Sequence, residues 1–85
     1  MKREPDFFQD LEMDLLYIGK RLRDAQKLEG ILDAASFEYA VEPDTYHGGV
    51  VFRTERVGAF FYVLPEELER ARSVLKENGF KPYQL

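Results

Sequence analysis

Residues 59–64, Ala-Phe-Phe-Tyr-Val-Leu, form an unbroken apolar run that ends at Pro65-Glu66-Glu67. A strand with one solvated face alternates apolar and polar residues, whereas a run that is apolar on both faces needs cover on both. Ala59, Phe61 and Val63 share one face; Phe60, Tyr62 and Leu64 share the other. Pro65 suits the first turn of a helix, because the N–H it lacks has no partner there. Glu66, Glu67 and Glu69 place negative charge at that positive end of the helix dipole. Any fold for this chain must therefore supply a helix layer for one face of residues 59–64 and something else for the opposite face.

The remaining sequence supplies the matching pieces. Residues 13–19 contain Leu15-Leu16-Tyr17-Ile18 and predict a central strand. Residues 22–35 switch to helical spacing, with Leu22, Ala25, Leu28, Leu32 and Ala35 on one side and Ile31 flanking. Gly30 interrupts that helix, and close packing on the sheet is the expected reason. Phe37 to Glu42 alternates as a half-buried strand. Pro43-Asp44 and Gly48-Gly49 bracket an expected loop, Val50 to Thr54 an expected strand, and Glu55 to Gly58 an expected turn into residues 59–64. Leu68, Ala71 and Leu75 form the stripe of the second helix, which Asn78-Gly79-Phe80 stops in a Schellman turn, with Phe80 folding back on Leu75. The tail from Phe80 to Tyr83 adds at most an edge strand, since Pro82 is tolerated only there.

The order is β-α-β-β-β-α-(β). Two helices that each follow a strand belong on one face of a mostly antiparallel sheet, which is a ferredoxin-like α+β two-layer sandwich. The 85 residues make one such domain over 13–85, with residues 1–12 as an N-terminal appendage, a short helix or flexible. Pro5-Asp6 can open a helical turn that carries Phe7, Phe8 and Leu11. The second sheet face then has two candidate covers: the Phe7-Phe8 segment, or another copy of the chain. Phe7, Phe8, Phe60, Phe61 and Tyr62 are the expected interface residues, and self-association the expected outcome.

Composition narrows the chemistry. With no Cys there is no disulfide framework and no thiol nucleophile, and one His is too few for a structural zinc site. No apolar run approaches a membrane span of about 20 residues, and the charged start shows no signal peptide, so a cytoplasmic location is the expectation. A net charge of −4 opposes nucleic-acid binding, which carries a basic footprint. No nucleophile–base pair can be named, so no catalytic residue, metal or cofactor is assigned.

Two constellations stand out. Lys20, Arg21 and Arg23 lie where the first strand hands over to the first helix, opposite in sign to what the dipole favours. An anion held between these side chains and the free N–H groups of the helix start would reconcile that placement. Tyr46 and His47 lie in the expected loop beside Asp44, and form a second candidate ligand site.

Asp24-Ala25, Leu28-Glu29-Gly30-Ile31-Leu32, the strand from Phe37, the Gly-Gly loop, and Val63-Leu64-Pro65-Glu66-Glu67 followed by Ala71 and Leu75 together resemble a known family. It is the small prokaryotic domain of unknown function described as a signal-transducing protein, grouped with the PII-like ferredoxin folds. The likeness spans about residues 14–78 by pattern, without a site motif. It implies a bacterial PII-like fold with a binding or regulatory role in signal transduction. The nucleotide-binding residues of PII proteins do not map onto this sequence, and residues 43–49 are much shorter than the PII loop. Gly49-Val50-Val51-Phe52-Arg53 is similar to the end of the acylphosphatase signature, but in that family the arginine belongs to the loop before the first helix. The expected function is thus a non-enzymatic module acting through oligomerisation or a protein partner, with an anionic ligand near Lys20 to Arg23. The alternatives are a small acylphosphatase-like hydrolase and a plain protein-interaction domain.

Overall fold

A computed structural model describes residues 1–8, 11–48 and 54–83. The elements are strand β1 (Lys2–Arg3), a 3₁₀ turn (Pro5–Phe8), β2 (Asp14–Gly19), α1 (Leu22–Ala34), β3 (Tyr39–Gly48), β4 (Thr54–Val63), a second 3₁₀ turn (Pro65–Glu67) and α2 (Leu68–Glu77). Among the described residues the sheet has four strands in the order β1-β3-β4-β2. β1 and β3 run parallel; β3–β4 and β2–β4 are antiparallel. This is an α+β chain with a mixed sheet and two helices, compatible with a ferredoxin-like fold.

One core joins the helices to one face of the sheet. Ala25, Leu28 and Leu32 of α1 and Ala71 and Leu75 of α2 meet Leu16, Phe37, Tyr39, Phe61 and Val63. β4 lies between β2 and β3, as its unbroken apolar run requires. Tyr39 and Phe61 stack with ring centroids 6.2 Å apart, and the Tyr39 hydroxyl donates to Asp33 at 3.0 Å. Each of these rings removes on the order of 150–250 Å² from water, which is much of what a small domain can bury.

Four expectations are corrected. The loop expected from Pro43 to Gly48 and the turn expected at Glu55–Gly58 are strand instead: Pro43, Asp44, Thr45, Tyr46 and His47 pair with Ala59, Gly58, Val57, Arg56 and Glu55 in one continuous ladder. Backbone pairing along ten residues outweighs the local turn preference of Gly58. The strand expected at Val50–Thr54 lies outside the described residues apart from Thr54, which opens β4. Gly30 does not touch the sheet; it is exposed, and a Cβ there would meet nothing within 4 Å. Leu22 is 75% exposed because the stripe facing the core begins at Ala25.

Both helices close in Schellman turns. At α2, Gly79 takes φ +82° and Phe80 N–H reaches the Leu75 carbonyl at 2.9 Å, as the sequence predicts. At α1, Ser36 takes the left-handed position with φ 62°, and Phe37 N–H reaches the Leu32 carbonyl at 3.0 Å.

The outer edge of β3 is closed to further pairing along part of its length. Tyr39 N–H points outward to the Met1 carbonyl at 3.3 Å, so the nitrogens of Val41, Pro43 and Thr45 face the same way. Pro43 has no N–H to offer, and the Asp44 carboxylate takes the Thr45 N–H at 2.8 Å. β1 pairs only with Tyr39 and Ala40. Short partners, proline and self-capped donors are the means by which edges avoid pairing with other chains.

Candidate functional site: a basic groove with an aromatic wall

The candidate site begins with an irregularity in β2. Leu15 pairs with Tyr62, but Tyr17 pairs with Phe61, so Leu16 is an extra residue in the ladder. Such a bulge re-aims the residues around it. Leu16 is fully buried in the core, and Tyr17, which strict alternation would send to the opposite face, also turns toward the helices. Its ring meets Phe61 at 6.4 Å and Phe80 at 5.4 Å, both edge-on.

The bulge fixes the tail as well. The Leu16 carbonyl accepts a hydrogen bond from Tyr83 N–H at 2.7 Å. Arg72 of α2 donates to the Tyr83 carbonyl at 3.1 Å, and Pro82 is buried. Residues 80–83 therefore run beside β2 without forming a strand, tied to the sheet on one side and to α2 on the other.

Between β2, the start of α1, the end of α2 and this tail lies a groove of about 840 Å³. Tyr17, Phe80 and Tyr83 give it an aromatic wall. Among the described residues, Lys20, Arg21, Lys27 and Lys81 bring four cations to it and Asp24 one carboxylate. That concentration of positive charge stands on a chain whose net charge is −4. Lys27 Nζ stands 5.8 Å from the centre of the Phe80 ring, within cation–π range. Burial pushes the Tyr17 hydroxyl above its ordinary pKa, with the nearby Asp24 carboxylate adding to the shift.

Arg21 is the N-cap residue of α1, extended at φ −126°, and its side chain does not cap the helix. The early N–H groups of α1 precede the first intrahelical bond, which Ala25 N–H makes to the Arg21 carbonyl at 3.0 Å. Gly19 lets α1 come this close to the sheet: a Cβ on it would lie 3.2 Å from the Ala25 Cβ.

Of the three cations singled out in the sequence, the groove gathers Lys20 and Arg21; Arg23 is exposed on α1 and does not line it. Lys27 and Lys81 are additions. Lys27 was within reach of pattern, since Lys20, Asp24 and Lys27 follow helical spacing. Lys81 and Tyr83 were not, because their place depends on the outward turn of the Leu16 carbonyl.

The other candidates are dispersed. Tyr46 and His47 belong to the far end of β3, opposite Arg56 and Glu55, and their side chains lie outside the described residues, as does Arg53. Phe61 is fully buried in the helix-covered core and cannot serve an interface. Phe60 is 9% exposed; Tyr62 is half-buried. Phe8 is 4% exposed and borders a small pocket with Leu11, Met13, Ala40, Glu42 and Tyr62, so the N-terminal segment covers part of the second sheet face. Phe7 is 56% exposed, under the Arg3 guanidinium at 4.5 Å. Arg3 also pairs with Glu38 at 2.5 Å, which holds the Glu38 carboxyl below its usual pKa.

Among the described residues no helix is long and apolar enough to cross a membrane, and no cluster of three or more His, Asp or Glu side chains is arranged for a metal ion. Comparison with family models, with curated proteins and with solved structures returns no match.

Proposed function

We propose that this chain is a non-enzymatic binding module of the ferredoxin-like, PII-like type, and that it takes a small anionic ligand in the groove between β2, α1 and the tail. The observation that carries this reading is the convergence of Lys20, Arg21, Lys27 and Lys81 from three parts of an acidic chain on one concavity. A concavity that gathers positive charge on an acidic chain draws anions to it. A regulatory role is part of this proposal, since the groove gathers charge suited to holding a ligand. The cytoplasm is the compartment in which we place it.

The test is titration with inorganic pyrophosphate at low salt, followed by calorimetry. Arg21→Glu is expected to weaken binding by roughly ten- to a hundredfold, the range for losing a charge-assisted hydrogen bond. Arg23→Glu, outside the groove, is expected to change it by no more than about threefold. Equal losses in the two variants would mean a diffuse field rather than a site.

A second reading is association through the sheet face away from the helices, with another copy or a partner protein. Leu11, 59% exposed on the pocket it shares with half-buried Tyr62, and Phe7, 56% exposed, favour it. A monomer by light scattering at high concentration would remove self-association.

A further inference from the structure

Building on the anion-binding reading, we infer that the ligand of the groove is an aromatic acid: one flat ring bearing a phosphate or carboxylate. Cations alone would make a site for any small anion. Here three rings stand along one wall, and each is put there by its own backbone device. The bulge at Leu16 turns Tyr17 toward the helices. The left-handed Gly79 folds Phe80 back beside it, at 86° to the Tyr17 ring. The hydrogen bond from Tyr83 N–H to Leu16 holds the third. Tyr17 and Phe80 contribute only partly to the core, and Tyr83 is 37% exposed. Each therefore leaves apolar ring surface in a concavity ringed by charge.

That combination selects for a ligand with both features. A ligand ring on this wall removes apolar surface from water and packs edge-on or offset against aromatic neighbours. Arg21 and Lys81 line the same groove and can meet its acidic group, and Lys27, which already stands over the Phe80 ring, can meet the face of a second ring in the same manner. A groove of about 840 Å³ admits a single ring with its acid and leaves room beyond it. Phosphate and carboxylate are equivalent to the cations in kind and differ in charge, so both are tested.

The experiment compares probes matched in charge. Phenyl phosphate is measured against methyl phosphate, and phenylacetate against acetate, by nuclear magnetic resonance titration of the full chain. Phenyl phosphate is expected to bind about tenfold tighter than methyl phosphate, equivalent to about 1.4 kcal/mol. Tyr17→Leu is expected to abolish that preference. Tyr83→Ala, which keeps the backbone bonds of the tail, is expected to reduce the preference and guards against misfolding of the Tyr17 variant. A stronger response to phenylacetate than to phenyl phosphate would assign the acid as a carboxylate. Equal binding of the ring-bearing and ring-free probes overturns the inference while leaving an anion site in place. Binding of none of the four overturns the anion site itself.

Discussion

Tyr83 N–H donates to the carbonyl of Leu16 at 2.7 Å, and the carbonyl it reaches belongs to the one bulged residue of β2. A single extra residue in the ladder thus turns Tyr17 onto the helix side and moors the tail. Both effects build the same groove. The bond closes part of the β2 edge, much as Pro43 and the Asp44–Thr45 contact close part of the β3 edge.

Removing that donor has a measurable cost. Tyr83→Pro deletes the N–H and Tyr83→Ala keeps it, so the difference between them isolates the bond. Tyr83→Pro is expected to be less stable than Tyr83→Ala by about 0.5–1.5 kcal/mol in urea denaturation. No difference would mean that the tail is held by Pro82 and Arg72 alone.

Gly30 lies on the solvent side of α1 with open space around it. Gly30→Ala is expected to stabilise the chain by about 1 kcal/mol, which is about 4–8 °C in Tm for a domain of this size. Destabilisation would show that something covers this face in solution.

Ser36 occupies a left-handed position that glycine takes at lower cost. Ser36→Gly is expected to stabilise by about 0.5–1 kcal/mol, because relief of the backbone strain exceeds the added freedom of the unfolded chain. Thermal denaturation of the two proteins side by side gives the comparison.

The fold was legible wherever pattern and burial agree. The apolar run at 59–64 marked the central strand, Pro65-Glu66-Glu67 the approach to α2, and Asn78-Gly79-Phe80 its stop. Legibility failed where long-range pairing overrides local preference. Pro43-Asp44 and Gly58 read as turns, yet each lies inside the β3–β4 ladder, and Pro43 fits there because its nitrogen faces the open edge. Two of the four cations of the candidate site, Lys20 and Arg21, showed as a cluster in the sequence. The aromatic wall did not, since a bulge is set by the register between strands and leaves no mark in the residues of one strand.

Alkaline pH probes the core through Tyr39. Its pKa is raised, first by burial and then by the hydrogen bond to Asp33, so the folded state keeps a proton that the unfolded chain loses near pH 10. Its contribution is therefore fully present below about pH 10 and declines as pH rises through the folded value. Urea midpoints measured between pH 8 and 11 are expected to fall at the alkaline end. Tyr39→Phe is expected to start lower, by about 1 kcal/mol for the lost hydrogen bond, and to fall less steeply. An unchanged slope would show that other groups drive the alkaline loss.

The central claim is that the basic groove is an anion site, and the most direct measurement maps where an anion lands. Amide shifts of the isotope-labelled chain are followed during pyrophosphate titration, and then repeated for Lys81→Gln. The account expects saturable shifts concentrated at residues 17–27 and 78–83, weakened by added salt and reduced in the variant. Shifts spread evenly over the surface, or concentrated on the β3–β4 hairpin and unchanged in the variant, would contradict it.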